Sequence, residues 1–215
     1  MIHDFDRRYW FGASDAKYIY AHTESTKSWR DWWDIKTGRQ LNNFTGNIYT
    51  KAGNTFEHSI LQTWCPGITM DRQILIPELR LRVNLDGNLS DTIVEVKTYQ
   101  INKKFEVTDG YYYQAQLQML AWKLEPMMQL IQCQGSPGVV PKNPPLKKHV
   151  ILAYGLYPDE YYAEYTKDEI EKGTIQIDKG RILEFEIKPS RSVQRKGKKA
   201  LQRMARKMGK ELNDD

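Results

Sequence analysis

Residues 86–97 read DGNLSDTIVEVK, and this stretch decides both the fold and the chemistry of the chain. An Asp-Gly pair ends one strand-like run, and a short polar segment leads into a second run, which together predict a β-hairpin. Because side chains alternate along a strand, Glu95 and Lys97 face one side while Val94 and Val96 face the other. Taken alone, Glu95 and Lys97 fit a structural ion pair or the exposed face of an edge strand.

The predicted hairpin also brings carboxylates together. Asp86 ends one strand and Glu95 lies on the next, and two carboxylates that repel each other require a cation between them. Mg²⁺ and Mn²⁺ prefer oxygen ligands, and the Val96 carbonyl can add one more oxygen. Glu57, on the buried stripe of a helix predicted at 50–64, supplies a third carboxylate for the same ion.

Lys97 lies beside these carboxylates, where it could lose its proton more readily, or could hold an attacking water or the scissile phosphate. Metal-assisted phosphodiester cleavage needs this combination of groups. The metal polarises the phosphoryl oxygen and lowers the pKa of its water, while the lysine assists the nucleophile or the developing charge. We therefore interpret this face of the strand as catalytic.

Hydrophobic periodicity predicts a mixed α/β domain with a central sheet flanked by helices. Ser14 is the predicted start of a short helix, and Ser28 is the predicted N-cap of a helix that ends at Gly38. A loop rich in Pro and Gly at 132–148 is typical of an insertion or a substrate-facing segment. The predicted strands cover 72–76, 79–87, 92–99, 149–157 and 181–188, and the predicted helices cover 15–22, 29–38, 50–64, 110–126, 159–173 and 190–212.

The composition favours one globular domain over residues 1–215, with 40% apolar residues. No apolar run approaches the ~20 residues of a membrane helix, and the acidic start MIHDFDRRYW is unlike a signal peptide, so we expect a cytoplasmic protein. Two cysteines and four isolated histidines predict that any metal is held by carboxylates. The absence of a P-loop pattern argues against ATP hydrolysis.

A basic block ends the chain, with no acid between Glu186 and Glu211. This block favours a polyanionic partner, although a solvated tail or helix face would have the same composition. As a helical tail at about 190–215, it is predicted to contact backbone phosphates without reading sequence. The candidate contacts are Arg195, Lys198, Lys199 and Arg203.

Taken in order, several motifs resemble the PD-(D/E)XK nuclease superfamily, and in detail its YqaJ or lambda exonuclease branch. The resemblance covers roughly residues 7–120. A leucine, Leu85, stands where the family has a proline, which we expect to be tolerated. The matching motifs are FGASDAKYIY at 11–20, WRDWWDIKTG at 29–38, KAGNTFEHSIL at 51–61, NLDG at 84–87, EVKTY at 95–99 and YYYQAQLQM at 111–119.

The resemblance implies a restriction-endonuclease-like core and two Mg²⁺ or Mn²⁺ ions. Asp86, Glu95 and the Val96 carbonyl would be metal ligands, and Glu57 would act directly or through water. Lys97 would activate the water. Gln114, on the next helix, would orient Lys97 or the phosphate.

The resemblance further implies a pocket for a terminal 5′ phosphate. In family members that degrade duplex DNA from a 5′ end, an Arg and a Ser near the N-terminus hold this group, and Arg7 and Ser14 stand at the matching places. Ser14 is equally a helix N-cap, and both roles are compatible because helix N-termini attract phosphate.

The function expected from this resemblance is 5′-to-3′ degradation of duplex DNA that leaves 3′ single strands for phage-type recombination. The implied context is a phage or prophage in a bacterial host cell, with a single-strand annealing protein as partner and a ring-shaped homotrimer. Two alternatives stay open: a structure-specific or single-strand endonuclease of the same fold, and a non-catalytic DNA-binding module. Steady cutting of a covalently closed DNA circle would support the endonuclease and exclude the exonuclease. Unaltered DNA binding and biological activity of Asp86→Ala would support the binding module.

Overall fold

The computed structural model describes residues 8–41, 46–125 and 143–212. Most of the loop predicted at 132–148 therefore lies outside the described residues. Within the described part of the chain, no helix is both long and apolar enough to span a bilayer.

Six strands form one mixed sheet, which confirms the predicted α/β class. They are β1 (Phe11–Gly12), β2 (Thr69–Ile76), β3 (Leu81–Asn88), β4 (Thr92–Gln100), β5 (Lys148–Leu156) and β6 (Ile182–Ile187). The order is β1-β3-β4-β5-β6, and β2 pairs antiparallel with β3. β4 and β5 run parallel at the centre, while β6 is an antiparallel edge strand, half-exposed as its alternating sequence predicts.

The hairpin of β3 and β4 opens soon after its turn. Among the described residues, the two strands pair at Gly87–Val94 and Asn88–Ile93 alone. The start of β3 pairs instead with β1, in a parallel arrangement. Between these points the two strands separate, and this separation makes room for the site described below.

Six helices flank the sheet in the part of the chain that the structure describes, and three sequence predictions about them are wrong. Thr26, not Ser28, caps the second helix, because its side chain accepts from the Trp29 N–H. Ser14 lies within a 3₁₀ turn and is not an N-cap. In the segment predicted as helical at 159–173, the helix begins only at Lys167. Thr166 is its N-cap and forms a capping box with Glu169. The helices are α1 (Ala16–Ile19), α2 (Lys27–Lys36), α3 (Ile48–Trp64), α4 (Asp109–Leu124), α5 (Lys167–Lys172) and α6 (Arg191–Glu211).

The apolar side chains of β4 are divided between two apolar clusters, one on each face of the strand, because side chains alternate along a strand. Ile93 belongs to the cluster that contains the tryptophans of α2 and side chains of α4. Val94 and Val96 belong to the cluster built around α3 and β5. α6 buries Leu201 and Met204 in the first cluster, so the basic segment is a helix packed onto the core.

Candidate active site

A cleft of about 190 Å³ opens where β3 and β4 separate. Its walls come from the segment after β1, from β3, from β4 and from α4. Among the residues predicted for the site, Ser14, Asp86, Glu95, Lys97 and Gln114 meet in this cleft. The remaining lining residues are Trp10, Gly12, Ala13, Lys36, Arg82, Asn84 and Gln118.

Glu95 is the buried centre of the cleft and is 5% exposed. Lys97 Nζ and Gln114 Nε2 each donate to its Oε1 at 2.5 Å. Gln118 Nε2 donates to its Oε2, also at 2.5 Å. Burial alone would raise the pKa of Glu95, but the charge of Lys97 and these hydrogen bonds outweigh it and lower the pKa. Glu95 is therefore held as a carboxylate in one orientation.

A buried chain of hydrogen bonds supports Glu95 from behind. Gln114 and Gln118 are four residues apart, so α4 presents both on one face. Gln118 uses its amide group on Glu95, and its Oε1 accepts from His149 Nε2 on β5 at 2.5 Å. Burial lowers the pKa of His149 to about 4, so the ring is neutral and carries its proton on Nε2. The sequence analysis missed this role of His149, because only the β4–β5 pairing brings it to α4.

The Asp86 side chain takes the place of a backbone hydrogen-bond acceptor at the point where β3 and β4 separate. Its Oδ2 accepts from the Val96 N–H at 2.8 Å. Burial, followed by the charges of Glu57 and Glu95, raises the pKa of Asp86 well above its ordinary value. The role of the Val96 carbonyl as a metal ligand stays a prediction.

Lys97 is cationic in this environment. Burial would lower its pKa, but the charges of Glu95 and Asp86, together with the hydrogen bond to Glu95, raise the pKa above its ordinary value. The ammonium also lies 5.3 Å from the centre of the Tyr111 ring. Lys97 therefore offers a positively charged donor, not a free amine.

Glu57 lies on α3 and is not among the residues that line the cleft. Burial, then the charges of Glu95 and Asp71, raise the pKa of Glu57 to about 7. The structure thus places Glu57 within electrostatic range of Glu95 and Asp86. Whether Glu57 binds a metal directly or through water stays a prediction.

The donor set fits a hard divalent cation. Asp86, Glu95 and Glu57 interact electrostatically beside Lys97, and burial followed by the mutual repulsion of the carboxylates raises the pKa values of Asp86 and Glu57. Mg²⁺ or Mn²⁺ with carboxylate ligands would supply the missing positive charge. The presence of two ions stays a prediction.

The wall of the cleft near the predicted phosphate pocket is polar. Ser14 is exposed there, whereas Arg7 lies outside the described residues. The sequence analysis missed Lys36, which is 4% exposed and lies within the tryptophan-rich α2. Lys36 Nζ lies 2.7 Å from Asp15 Oδ2 and donates to the Trp10 carbonyl at 2.9 Å. These contacts fix an ammonium group beside Ser14.

The four residues of α6 predicted to bind phosphates differ in their availability. Arg195 and Lys199 are exposed, and Lys198 is half-buried. Arg203 lies 2.8 Å from Glu24, which therefore competes with phosphate for its guanidinium group.

Replacing Gln118 by leucine is expected to reduce both stability and catalysis. Leucine leaves Glu95 Oε2 without its donor and the His149 Nε2–H without its acceptor, so we expect a loss of about 2–4 kcal/mol in the free energy of unfolding. Because Glu95 then loses its orientation, the cleavage rate per folded molecule should fall at least about tenfold. Chemical denaturation and single-turnover cleavage measure the two effects.

Gln116→Leu is the matched control. Gln116 lies on the same helix, is fully buried and holds the Lys188 carbonyl and the Ser190 N–H, away from the cleft. Its loss should cost similar stability while the rate per folded molecule is retained. Equal losses of rate in the two variants would contradict a specific role of Gln118.

This chain is similar to known proteins in structure but not detectably in sequence. No family model matches the chain, and no curated protein matches it by sequence. The alkaline exonuclease LHK-Exo from Laribacter hongkongensis superposes with a TM-score of 0.60 at 12% identity, over 96% of this chain and 91% of that one. Its complex with dAMP superposes with a TM-score of 0.61 over the same shares.

A phage-related exonuclease from Haemophilus somnus 129PT superposes with a TM-score of 0.60 at 14% identity, over 94% of this chain and 96% of that one. At such identities the likeness establishes the fold alone. The chain therefore has the fold of these exonucleases, which agrees with the mixed α/β nuclease fold that the resemblance implied.

Proposed function

We propose that this protein is a metal-dependent deoxyribonuclease that degrades duplex DNA from the 5′ end and leaves a 3′ single strand. The observation that carries the proposal is the convergence of Asp86, Glu95 and Lys97 in one cleft, held by Gln114 and Gln118. Support comes from the fold shared with solved exonucleases. The proposed setting is phage-type recombination with a single-strand annealing protein, and the proposed assembly is a ring trimer.

In this proposal Asp86, Glu95 and the Val96 carbonyl hold Mg²⁺ or Mn²⁺, with Glu57 beside them. Such an ion, when bound, neutralises phosphate charge and lowers the pKa of its water. Lys97 donates to the attacking water or to the phosphate and stabilises the negative charge that develops there. Gln114 fixes Glu95 and with it the position of Lys97.

The terminal phosphate is proposed to lie against the wall that carries Ser14 and Arg82. The buried ammonium of Lys36 adds a fixed positive charge to this wall, although Asp15 neutralises part of it. Arg7 is proposed to complete the pocket. An anion is favoured there because several donors converge on one polar wall.

The decisive experiment compares DNA ends. Linear duplexes with and without a 5′ phosphate, and a covalently closed circle, are incubated with the protein and Mg²⁺. We expect digestion of the linear duplexes, faster with a 5′ phosphate, and an intact circle. Steady cutting of the circle would replace the exonuclease proposal with an endonuclease, and no cleavage of any DNA would favour a binding module.

Metal binding is expected to strengthen as the pH rises. A proton and a cation compete for Glu57, whose pKa is raised to about 7 by burial, Glu95 and Asp71. Because only the deprotonated form binds the ion, the apparent affinity for Mg²⁺ should rise about tenfold from pH 6 to pH 8 and then level off.

This pH effect is measured as the Mg²⁺ concentration that gives half-maximal cleavage at each pH. At saturating Mg²⁺ the dependence should shrink, which separates competition at the metal ligands from an effect on DNA binding. A half-saturating concentration that is constant from pH 6 to pH 8 would contradict the prediction.

The exposed cations of α6 are proposed to contact backbone phosphates. The double substitution Arg195→Gln with Lys199→Gln should weaken binding to all sequences alike and reduce the slope of log K against log salt by about 2, at ~0.9 per phosphate contact. Lys167→Gln with Lys172→Gln on α5 is the control, because both lysines are exposed and pair with acids of their own helix. Equal slopes in the two double variants would remove α6 from the DNA interface.

A further inference from the structure

A second group of metal-type ligands lies beside the cleft. Glu57 and His58 are consecutive on α3, and Asp71 comes from β2. One ligand atom from each residue lies within 4.8 Å of the others. No residue of this group lines the cleft that contains Asp86 and Glu95.

The protonation of His58 follows from its surroundings. Its Nδ1 lies 3.0 Å from the carbonyl oxygen of Glu171, and because a carbonyl only accepts, Nδ1 carries a proton. This carbonyl belongs to the last turn of α5, where backbone acceptors lack partners within the helix. Because Nδ1 donates to this carbonyl, Nε2 is the ring nitrogen that remains for a metal ion or a further hydrogen bond.

His58 Nε2 lies beside a carboxylate in a buried place. The residue is 3% exposed, and its Nε2 makes no hydrogen bond within the described part of the chain, although Asp71 Oδ2 lies 3.0 Å away. At this distance a positive charge, either a proton on Nε2 or a metal ion, lies between the two atoms. A histidine that binds a metal shows the same pattern, with its other ring N–H donated to a backbone carbonyl or a carboxylate.

The backbone at Asp71 is held in an uncommon conformation. Its φ of +57° lies in the left-handed region, which aspartate tolerates better than most residues but which still carries strain. Register places Asp71 between Met70 and Arg72, which pair with Gly87 and Leu85 on β3. The strained residue lies where β2 passes His58, and its carboxylate faces the ring.

We propose that Glu57, His58 and Asp71 bind a zinc-type divalent ion at a site adjacent to the Asp86–Glu95 cleft. One imidazole and two carboxylates form a set that suits Zn²⁺, Co²⁺ or Mn²⁺, whereas Mg²⁺ prefers oxygen ligands alone. Three protein ligands leave a position for water. Glu57 belongs to this site and also faces Glu95, so an ion here would hold Glu57 as a carboxylate next to the catalytic group. The site itself does not depend on the proposed nuclease activity.

The test uses Co²⁺ as a visible probe on the full chain after treatment with a chelator. We expect wild type to retain one Co²⁺ per chain, with d–d absorption typical of nitrogen and oxygen ligands, and millimolar Mg²⁺ not to displace it. Asp71→Asn and His58→Gln should each weaken Co²⁺ binding about 10–100-fold. Asp91→Asn should bind Co²⁺ as wild type does, because it removes a carboxylate that pairs with Lys147 and belongs to neither group of metal-type ligands.

Asp71→Asn is the more informative variant, because asparagine keeps the size of the side chain and tolerates the left-handed conformation. Folding is monitored by circular dichroism, and the Zn²⁺-induced increase in Tm provides a second readout. We expect this increase in wild type and in Asp91→Asn but not in Asp71→Asn. Equal Co²⁺ binding by wild type and Asp71→Asn, or no binding by wild type, would overturn the proposal and leave an imidazolium–carboxylate ion pair in its place. Neither readout involves DNA, so a failure of the proposed nuclease activity would be seen separately.

Discussion

Lys97→Ala is expected to lower the rate of Mg²⁺-dependent DNA cleavage by about 10³-fold while DNA binding is retained. The lysine is the one cation that contacts Glu95 within the described residues, and its ammonium donates to Glu95 Oε1 at 2.5 Å. Removing a donor that stabilises developing charge in a buried site costs about 10²–10³ in rate, and loss of an assisting proton donor costs a similar factor. Single-turnover cleavage of a linear duplex measures the rate, and gel-shift titration without metal measures binding.

Lys104→Ala is the control for this variant. Lys104 is also a lysine near the end of the hairpin strand, but it is exposed and pairs with Glu106 on the surface. Its removal should change the rate less than about twofold. A Lys97→Ala protein that folds, binds DNA and cleaves at a rate near that of wild type would exclude Lys97 from catalysis.

Asp86→Asn is expected to abolish cleavage and, without metal, to stabilise the fold. Burial and the charges of Glu57 and Glu95 raise the pKa of Asp86, so the ionised carboxylate destabilises the folded state at neutral pH. Asparagine keeps an oxygen that can accept from the Val96 N–H and removes the repulsion. We expect the free energy of unfolding to rise by about 1 kcal/mol or more, equivalent to roughly 2–4 °C in Tm.

The pH dependence of this stabilisation follows from linkage. An acid whose pKa is raised by folding binds a proton more readily in the folded state, so the folded wild type gains stability as the pH falls towards the unfolded pKa. The advantage of Asp86→Asn in chelator should therefore be largest at pH 8 and shrink towards pH 5. Thermal melts in EDTA across this range measure it, and added Mg²⁺ should reverse the order by stabilising only the wild type.

Asp91→Asn is the control for Asp86→Asn. Asp91 belongs to the same hairpin but lies half-buried outside the cleft, and hydrogen bonds from Lys147 and Thr92 lower its pKa. Removing this charge should lower Tm slightly or leave it unchanged. If Asp86→Asn is less stable than wild type in EDTA at pH 8, the carboxylates of the cleft do not repel as the structure indicates.

Several particular predictions of the sequence hold in the structure. Alternation along β4 correctly separates Glu95 and Lys97 from Val94 and Val96. The predicted hairpin that carries Asp86 and Glu95 is present as the antiparallel pair of β3 and β4. These predictions succeed because they depend on periodicity within one element or one hairpin, which local backbone geometry imposes.

The failures also have physical causes. Ser28 is a good capping residue by type, but Thr26 two residues earlier satisfies the amide at the helix start. The segment at 159–173 has helical composition, yet its helix begins only at Lys167, because the capping box of Thr166 and Glu169 fixes the helix start there. α6 is strongly basic and packs onto the core through Leu201, Met204 and Met208, because one apolar stripe is enough to dock a helix.

The sequence by itself determined the mixed α/β class, the hairpin that carries Asp86 and Glu95, and the common face of Glu95 and Lys97, because these follow from local patterns of side chains. Only the tertiary structure decided that His149 holds Gln118 against Glu95, that Lys36 is buried beside Ser14, and that His58, isolated in the sequence, lies 3.0 Å from Asp71. The physical reason is that these contacts join distant elements, and their distances depend on how strands pair and helices pack, which periodicity along one element does not encode.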